Sequence, residues 1–127
     1  MNIPKDLLYT KTHEWVQVKG EVAYVGVTDF AQEHLGDIVF VEAPEMDKAI
    51  QAGEELCVVE SVKTVATVYS PLSGKVIETN SALEDAPELI NQDPYTAFVG
   101  AVQISNLEEL KSLLTPEAYE VICNEEA

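Results

Sequence analysis

The sequence predicts a mainly β fold of short strands, edged by short helices and closed by a C-terminal helical segment. Three observations predict it. Short runs rich in Val, Thr, Tyr and Ile recur through the first two thirds of the chain. Glycine, proline and serine punctuate them at the spacing of a β-sandwich or small barrel. Helix caps followed by apolar periodicity gather near the end, from Asn106 onward. With 127 residues, 46% of them hydrophobic, the chain suffices for one core and is short for two, so residues 1–127 are expected to form a single domain.

Taken in order, Trp15 to Val18 and Val22 to Val27 are strand-like and are joined by Lys19-Gly20-Glu21, whose glycine suits a hairpin turn. Thr28 and Asp29 supply an N-cap and a first-turn acid for a short helix through Phe30, Ala31 and Leu35, stopped at Gly36. Asp37 to Val41 returns to strand, and Pro44 to Gly53 is a polar connection. Cys57 to Tyr69 is β-type throughout except where Glu60, Ser61 and Lys63 interrupt it, which predicts a hairpin carrying Lys63 at its tip. No Gly, Asn or Asp stands at that tip, although two-residue hairpin turns favour them because they need positive φ. A local rule broken at one exposed point marks a candidate functional site. Ser70-Pro71-Leu72-Ser73-Gly74 is turn chemistry, and Lys75 to Glu78 is another strand. Ala86 to Ile90 reads as one helical turn with proline near its start, and Phe98 to Ile104 as the last strand. Asn106, with Glu109 three residues on, predicts a capping box for a helix whose apolar face is Leu107, Leu110 and Leu114. Thr115-Pro116 opens a second short helix carrying Tyr119, Val121 and Ile122.

Seven basic residues, all lysine, stand against 23 acidic ones, for a net charge of −16. Such a polyanion repels phosphate backbones and anionic membrane surfaces, so neither nucleic acid nor membrane is an expected partner. The charge fits docking onto basic patches of larger proteins and, equally, a solvated acidic surface that only prevents aggregation. The two cysteines, Cys57 and Cys123, are too few for a disulfide framework or a zinc site and read as reduced core thiols. No apolar run is long enough to span a bilayer, and the first residues resemble no signal or transit peptide, which makes cytoplasm the expected compartment.

An exposed strand lysine is most often a device against edge-to-edge pairing. A Schiff-base lysine needs burial or a cationic neighbour, and Lys63 has Glu60 nearby instead. A covalent carrier needs the opposite: an exposed amine on a rigid tip, within reach of a ligase, bearing a cofactor that visits other active sites. The hairpin meets that second demand.

Several blocks together resemble the glycine cleavage system H-protein family, in family order and across nearly the whole chain. They are Thr10-Lys11-Thr12-His13-Glu14-Trp15-Val16, the run from Val25 to Val41, Glu60-Ser61-Val62-Lys63, Tyr69 to Gly74, and Pro87-Glu88-Leu89-Ile90-Asn91. The resemblance implies a flattened lipoyl/biotinyl-type barrel-sandwich hybrid, with lipoate in amide linkage on Lys63. It implies recognition by the lipoate-attaching enzyme through Glu60 and Gly74, and an arm-docking cleft lined by Glu14 and His34. It further implies three enzyme partners. A pyridoxal-phosphate glycine decarboxylase loads an aminomethyl group on the arm, a tetrahydrofolate-dependent aminomethyltransferase removes the one-carbon unit, and a flavin-dependent dihydrolipoamide dehydrogenase reoxidises the dithiol. The chain would then be a carrier and no enzyme. His13 reads as structural and Trp15 as core.

Two positions depart from the family pattern. Thr67, after Ala66, stands where the strand following the lysine usually ends in an acid, and Thr96 to Val102 lacks the usual Gly-Trp pair, with Phe98 able to fill the tryptophan space. The alternatives are an H-like lipoyl carrier of another pathway, such as lipoate relay or sulfur oxidation, and an unmodified acidic scaffold. If the charge serves encounter with partner enzymes, it acts on association rates and is screened over about 8 Å at physiological salt. Turnover at limiting concentrations of this chain is then expected to fall as salt rises, and a Michaelis constant that stays flat from low to moderate salt would assign the charge to solubility alone.

Overall fold

The computed structural model describes residues 1–126. The chain runs β1 (Leu8–Tyr9), β2 (Glu14–Lys19), β3 (Val22–Val27), α1 (Asp29–Leu35), β4 (Ile38–Glu42), β5 (Ala49–Ile50), β6 (Glu55–Ser61), β7 (Val65–Tyr69) and β8 (Gly74–Thr79). Then follow α2 (Ala82–Asp85), α3 (Leu89–Gln92), β9 (Gly100–Ile104), a 3₁₀ turn (Leu107–Ser112) and α4 (Pro116–Glu126). Six strands form one antiparallel sheet in the order β1-β2-β3-β9-β8-β5, and three form the other in the order β4-β6-β7. This is the mainly β architecture expected. The inward faces of the two sheets share one core, in which Val25, Ile38, Val59, Val68, Val76 and Ile90 are buried. A second cluster around Trp15, Tyr9, Phe30 and Tyr119 packs α1 and α4 onto the larger sheet, and Trp15 Nε1 donates to Pro94 O at 2.9 Å.

Local chemistry explains the elements that hold the hairpin. The Thr28 hydroxyl caps α1 by accepting from Ala31 N, and Gly36 ends the helix at φ 80°, a conformation that favours glycine. Asn91 then fixes the junction between α1 and β4. Its Nδ2 donates to Gln32 Oε1 and to Gly36 O, and its Oδ1 accepts from Ile38 N.

Several expectations change. The connection from Pro44 to Gly53 contains a short strand, β5, and neither β1 nor α2 was anticipated. Both extra strands are two residues long, too short to leave a periodic signal. The last strand starts at Gly100 instead of Phe98. Asn106 does cap, accepting from Glu108 N, but the element is a 3₁₀ turn and no capping box closes. Glu109 is drawn away by Ser73, whose N and Oγ both donate to its carboxylate, and Leu107 is exposed. The final helix is longer than expected and buries Tyr119 and Cys123, while Val121 faces solvent. Cys57 and Cys123 are buried and free, and burial pushes the Cys57 thiol up to about 12.

Gly74 opens β8 opposite Ile104, at the far end of β7 from the hairpin tip. A Cβ there would stand 1.9 Å from Gln103 O, so close backbone approach between β8 and β9 requires glycine. Gly74→Ala is expected to lower unfolding stability by about 3 kcal/mol through overpacking. Urea titration of the two proteins checks this, and a loss below about 0.5 kcal/mol would show that the strands part without cost.

Candidate functional site: an exposed lysine beside a cleft with a buried carboxylate

Lys63 stands between β6 and β7 in the turn Ser61-Val62-Lys63-Thr64, with Glu60 paired to Val65 beneath it. Ser61 solves the turn without positive φ. Its N donates to Thr64 O at 2.8 Å, and its Oγ accepts from both Lys63 N and Thr64 N at 3.1 Å. Among the described residues, the only non-glycine residues with positive φ are His13 and Asp47. The serine therefore takes the place of the expected glycine or asparagine by offering the backbone a side-chain acceptor. Val62 N donates to Asp37 O at 3.0 Å. Each of the four N–H groups of the turn thus has an acceptor, and the tip is tied to the segment that Asn91 fixes.

The Lys63 side chain is exposed and runs past Gly36, where an added Cβ would meet its Cε at 3.2 Å. Leu35, the preceding residue, is already a wall of a cleft of about 270 Å³. The cleft lies between α1 and β7, with Val27, Phe30, Leu35, Val59 and Ala66 as apolar lining and Glu14, His13, His34, Thr67 and Glu126 as polar lining. A larger, shallower depression of about 510 Å³ lies beyond Glu14, along Tyr9, Tyr69 and Leu114, away from the tip.

Glu14 is the buried charge of the site, 2% exposed. Its Oε1 accepts from the hydroxyls of Thr10 and Thr12, and its Oε2 accepts from Tyr69 N at 3.2 Å. Among the described residues no lysine pairs with it. Burial raises its carboxyl above the ordinary glutamate range, against the pull of those donors and of His13. A carboxylate held in this way can accept a further, charge-assisted hydrogen bond from a cationic donor.

His34, on the last turn of α1, holds Nδ1 at 2.9 Å from Phe30 O and stacks on the Phe30 ring at 4.1 Å. A carbonyl only accepts, so Nδ1 carries the proton and, in the neutral ring, Nε2 is the free acceptor. The cleft brings together Glu14, His34 and Thr67. Glu60 lies on β6 at the base of the tip, and Gly74 lies far from it.

His13 was legible only as a structural residue, and its surroundings were not. At φ 72° it is held by Tyr119 Oη on Nδ1 at 2.7 Å and by Glu126 Oε1 on Nε2 at 2.9 Å, while its ring stacks on Phe30. Glu126 accepts from Nε2–H, Nδ1 then accepts from Tyr119, Tyr119 accepts from Thr28, and Thr28 accepts from Ala31 N. Burial raises the Tyr119 phenol well above its ordinary range, in keeping with its place as a donor. This chain of bonds ties α4 to the N-terminus of α1 across the cleft. Thr10 and Thr12 also went unread; hydroxyls two and four residues before an acid were the signal available.

The raised Glu14 carboxyl has a signed consequence. A group whose folded titration lies above its unfolded one adds stability that is complete below the unfolded value and is lost as pH rises through the folded value. Relative to Glu14→Gln, the unaltered chain is expected to gain stability as pH falls from neutral to the ordinary glutamate range and to gain no more below it. Urea unfolding of both proteins across that window reads the difference, and a pH-independent gap would contradict it.

The family model described as "Glycine cleavage H-protein" matches residues 7–126. The glycine cleavage system H protein of Syntrophomonas wolfei is 51% identical over 126 residues, covering 99% of this chain and 97% of that protein. The one from Geobacillus kaustophilus is 52% identical, covering 98% and 99%. The crystal structure of a glycine cleavage system H protein from Mycobacterium marinum superposes with a TM-score of 0.85 at 40% identity, covering 94% of this chain and 97% of that one. This chain belongs to the glycine cleavage H-protein family.

Proposed function

We propose that this chain is the lipoyl carrier of a glycine cleavage system, one domain whose Lys63 holds lipoate in amide linkage. Its partners are the lipoate-attaching enzyme, a pyridoxal-phosphate glycine decarboxylase, a tetrahydrofolate-dependent aminomethyltransferase and a dihydrolipoamide dehydrogenase, all in the cytoplasm. The observation that carries the proposal is the exposed Lys63 on a fully hydrogen-bonded turn, at the rim of a cleft whose far wall holds a buried anion.

The residues present fit a lipoyl group. Lys63 is free for acylation, and the groove over Gly36 leads its stem toward apolar walls that match a hydrocarbon arm. When bound, lipoate supplies a ring disulfide that accepts a one-carbon fragment on opening and is restored by oxidation. The chain's own residues do the holding. Glu14, kept oriented by Thr10, Thr12 and Tyr69 N, offers a charge-assisted hydrogen bond to a cationic amine. Phe30, Val27 and Val59 exclude water around it, which strengthens that attraction. His34 presents an acceptor nitrogen at the cleft edge. With Thr67 neutral, Glu14 is the charged group that does this work from the buried wall. Binding, orientation and exclusion of water are a carrier's tasks, so the chain acts as a substrate of enzymes and not as one.

Lys63, and none of the other six lysines, is expected to be lipoylated in a cell with active lipoate attachment, which takes the formal charge from −16 to −17. Intact mass with peptide mapping reads this directly. Modification that survives Lys63→Ala, or an unmodified Lys63 in such a cell, would overturn the proposal. A lipoylated chain that supports no glycine decarboxylation with the pyridoxal-phosphate enzyme would place it in another pathway.

A further inference from the structure

The surface around Lys63 is apolar in a chain that is otherwise strongly charged. Val39 is 54% exposed, Phe40 50%, Val62 66% and Val65 62%. They converge for structural reasons. Phe40 pairs with Glu60 and Glu60 with Val65, so the three lie in one row across β4, β6 and β7. The register shift between Ile38 and Phe40 makes β4 bulge, and two successive apolar residues, Val39 and Phe40, both reach solvent there. The bond from Val62 N to Asp37 O closes the collar against the tip. Glu60, in the middle of the row, has no ion-pair partner among the described residues. Singly scattered apolar residues need no explanation, but a ring of them around one functional lysine marks an interaction site.

Resting on the carrier reading, we propose that this collar of Val39, Phe40, Val62 and Val65 is the docking surface for the lipoate-attaching enzyme. Reach selects that occupant. The lysine amine stands only four carbons from the backbone of a tip that is hydrogen-bonded in place. An enzyme that acylates it has to bring its catalytic surface onto the residues on both sides. Enzymes that work on the finished arm meet its distal ring and do not need to touch the collar. The surface that fits is an apolar rim around the active-site entrance, with a basic side chain opposite Glu60.

The test uses the full chain, a lipoate–protein ligase, lipoate and ATP, with modification followed by intact mass. Val62→Thr with Val65→Thr keeps branched strand formers in place, and Phe40→Gln is made separately, so a folding defect in one set does not mask the other. Each set is expected to raise the ligase KM for this chain about tenfold with kcat unchanged. Once fully lipoylated, the same variants are expected to serve glycine decarboxylation with KM within about twofold of the unaltered chain. An unchanged ligase KM overturns the proposal, as does a rise of equal size in both assays, or an unchanged KM together with loss of a dimer in sedimentation, which would give the face to a second copy. An unaltered chain that the ligase does not modify would instead refute the carrier reading, and that result appears before any variant is compared.

Discussion

Burial of the Glu14 charge is the constraint around which the rest is arranged. A carboxylate removed from water costs several kcal/mol unless its lone pairs are met. Three donors meet them, and they come from both halves of the fold: Thr10 and Thr12 from the turn before β2 in the larger sheet, Tyr69 N from β7 in the smaller one. One side chain thus joins the two sheets at the point where the cleft opens between them. The hydrogen bonds offset part of the desolvation, and the carboxyl stays raised, so ionising it within the fold costs stability. Such a cost, in a small protein, is expected at a site that receives a cation and not in a core built for stability alone.

The second constraint is stiffness at the lysine. A turn built on positive φ would require glycine or asparagine and would carry their conformational freedom. Ser61 avoids this by accepting two backbone bonds, and hydrogen bonds at Asp37 O and at Asn91 tie the tip to the segment between α1 and β4 and to α3. The tip belongs to the same hydrogen-bonded unit as the cleft wall, because Gly36, which the lysine stem crosses, is itself held by Asn91 Nδ2. What can move in this arrangement is the side chain of Lys63 and whatever extends it. Mobility confined to an arm on a fixed pivot is what a substrate shared among several enzymes needs.

How much of this was legible in the sequence depends on how local the cause is. The Thr28 cap, the Gly36 stop and the β2–β3 hairpin were readable because each is settled within a few residues. The hairpin tip was located correctly, but its missing glycine looked like a broken rule until Ser61 was seen to satisfy the backbone itself. Glu109 shows the opposite failure. Its spacing from Asn106 signals a capping box, yet the donors of Ser73, 36 positions away, compete for the same carboxylate and win with two bonds. The anchoring of His13 by Tyr119 and Glu126 spans more than a hundred residues and leaves no local trace at all. Glu14 and His34 came through family pattern, and nothing in their own neighbourhoods announces that they share a cleft.

The distribution of surface chemistry follows from the same division. A net charge of −16 keeps the molecule dispersed and destabilises compaction by self-repulsion, a penalty the buried core has to exceed. It also sets how much exposed apolar surface the chain tolerates, since a collar such as Val39, Phe40, Val62 and Val65 on a weakly charged protein invites edge-to-edge association of β4 and β7. Repulsion between like copies suppresses that route and leaves complementary surfaces free to approach. Acidity and the apolar collar are therefore two parts of one solution. Charge governs which molecules come near, and the apolar residues about the lysine, with Glu60 among them, are kept for the contact that the short reach of its amine imposes.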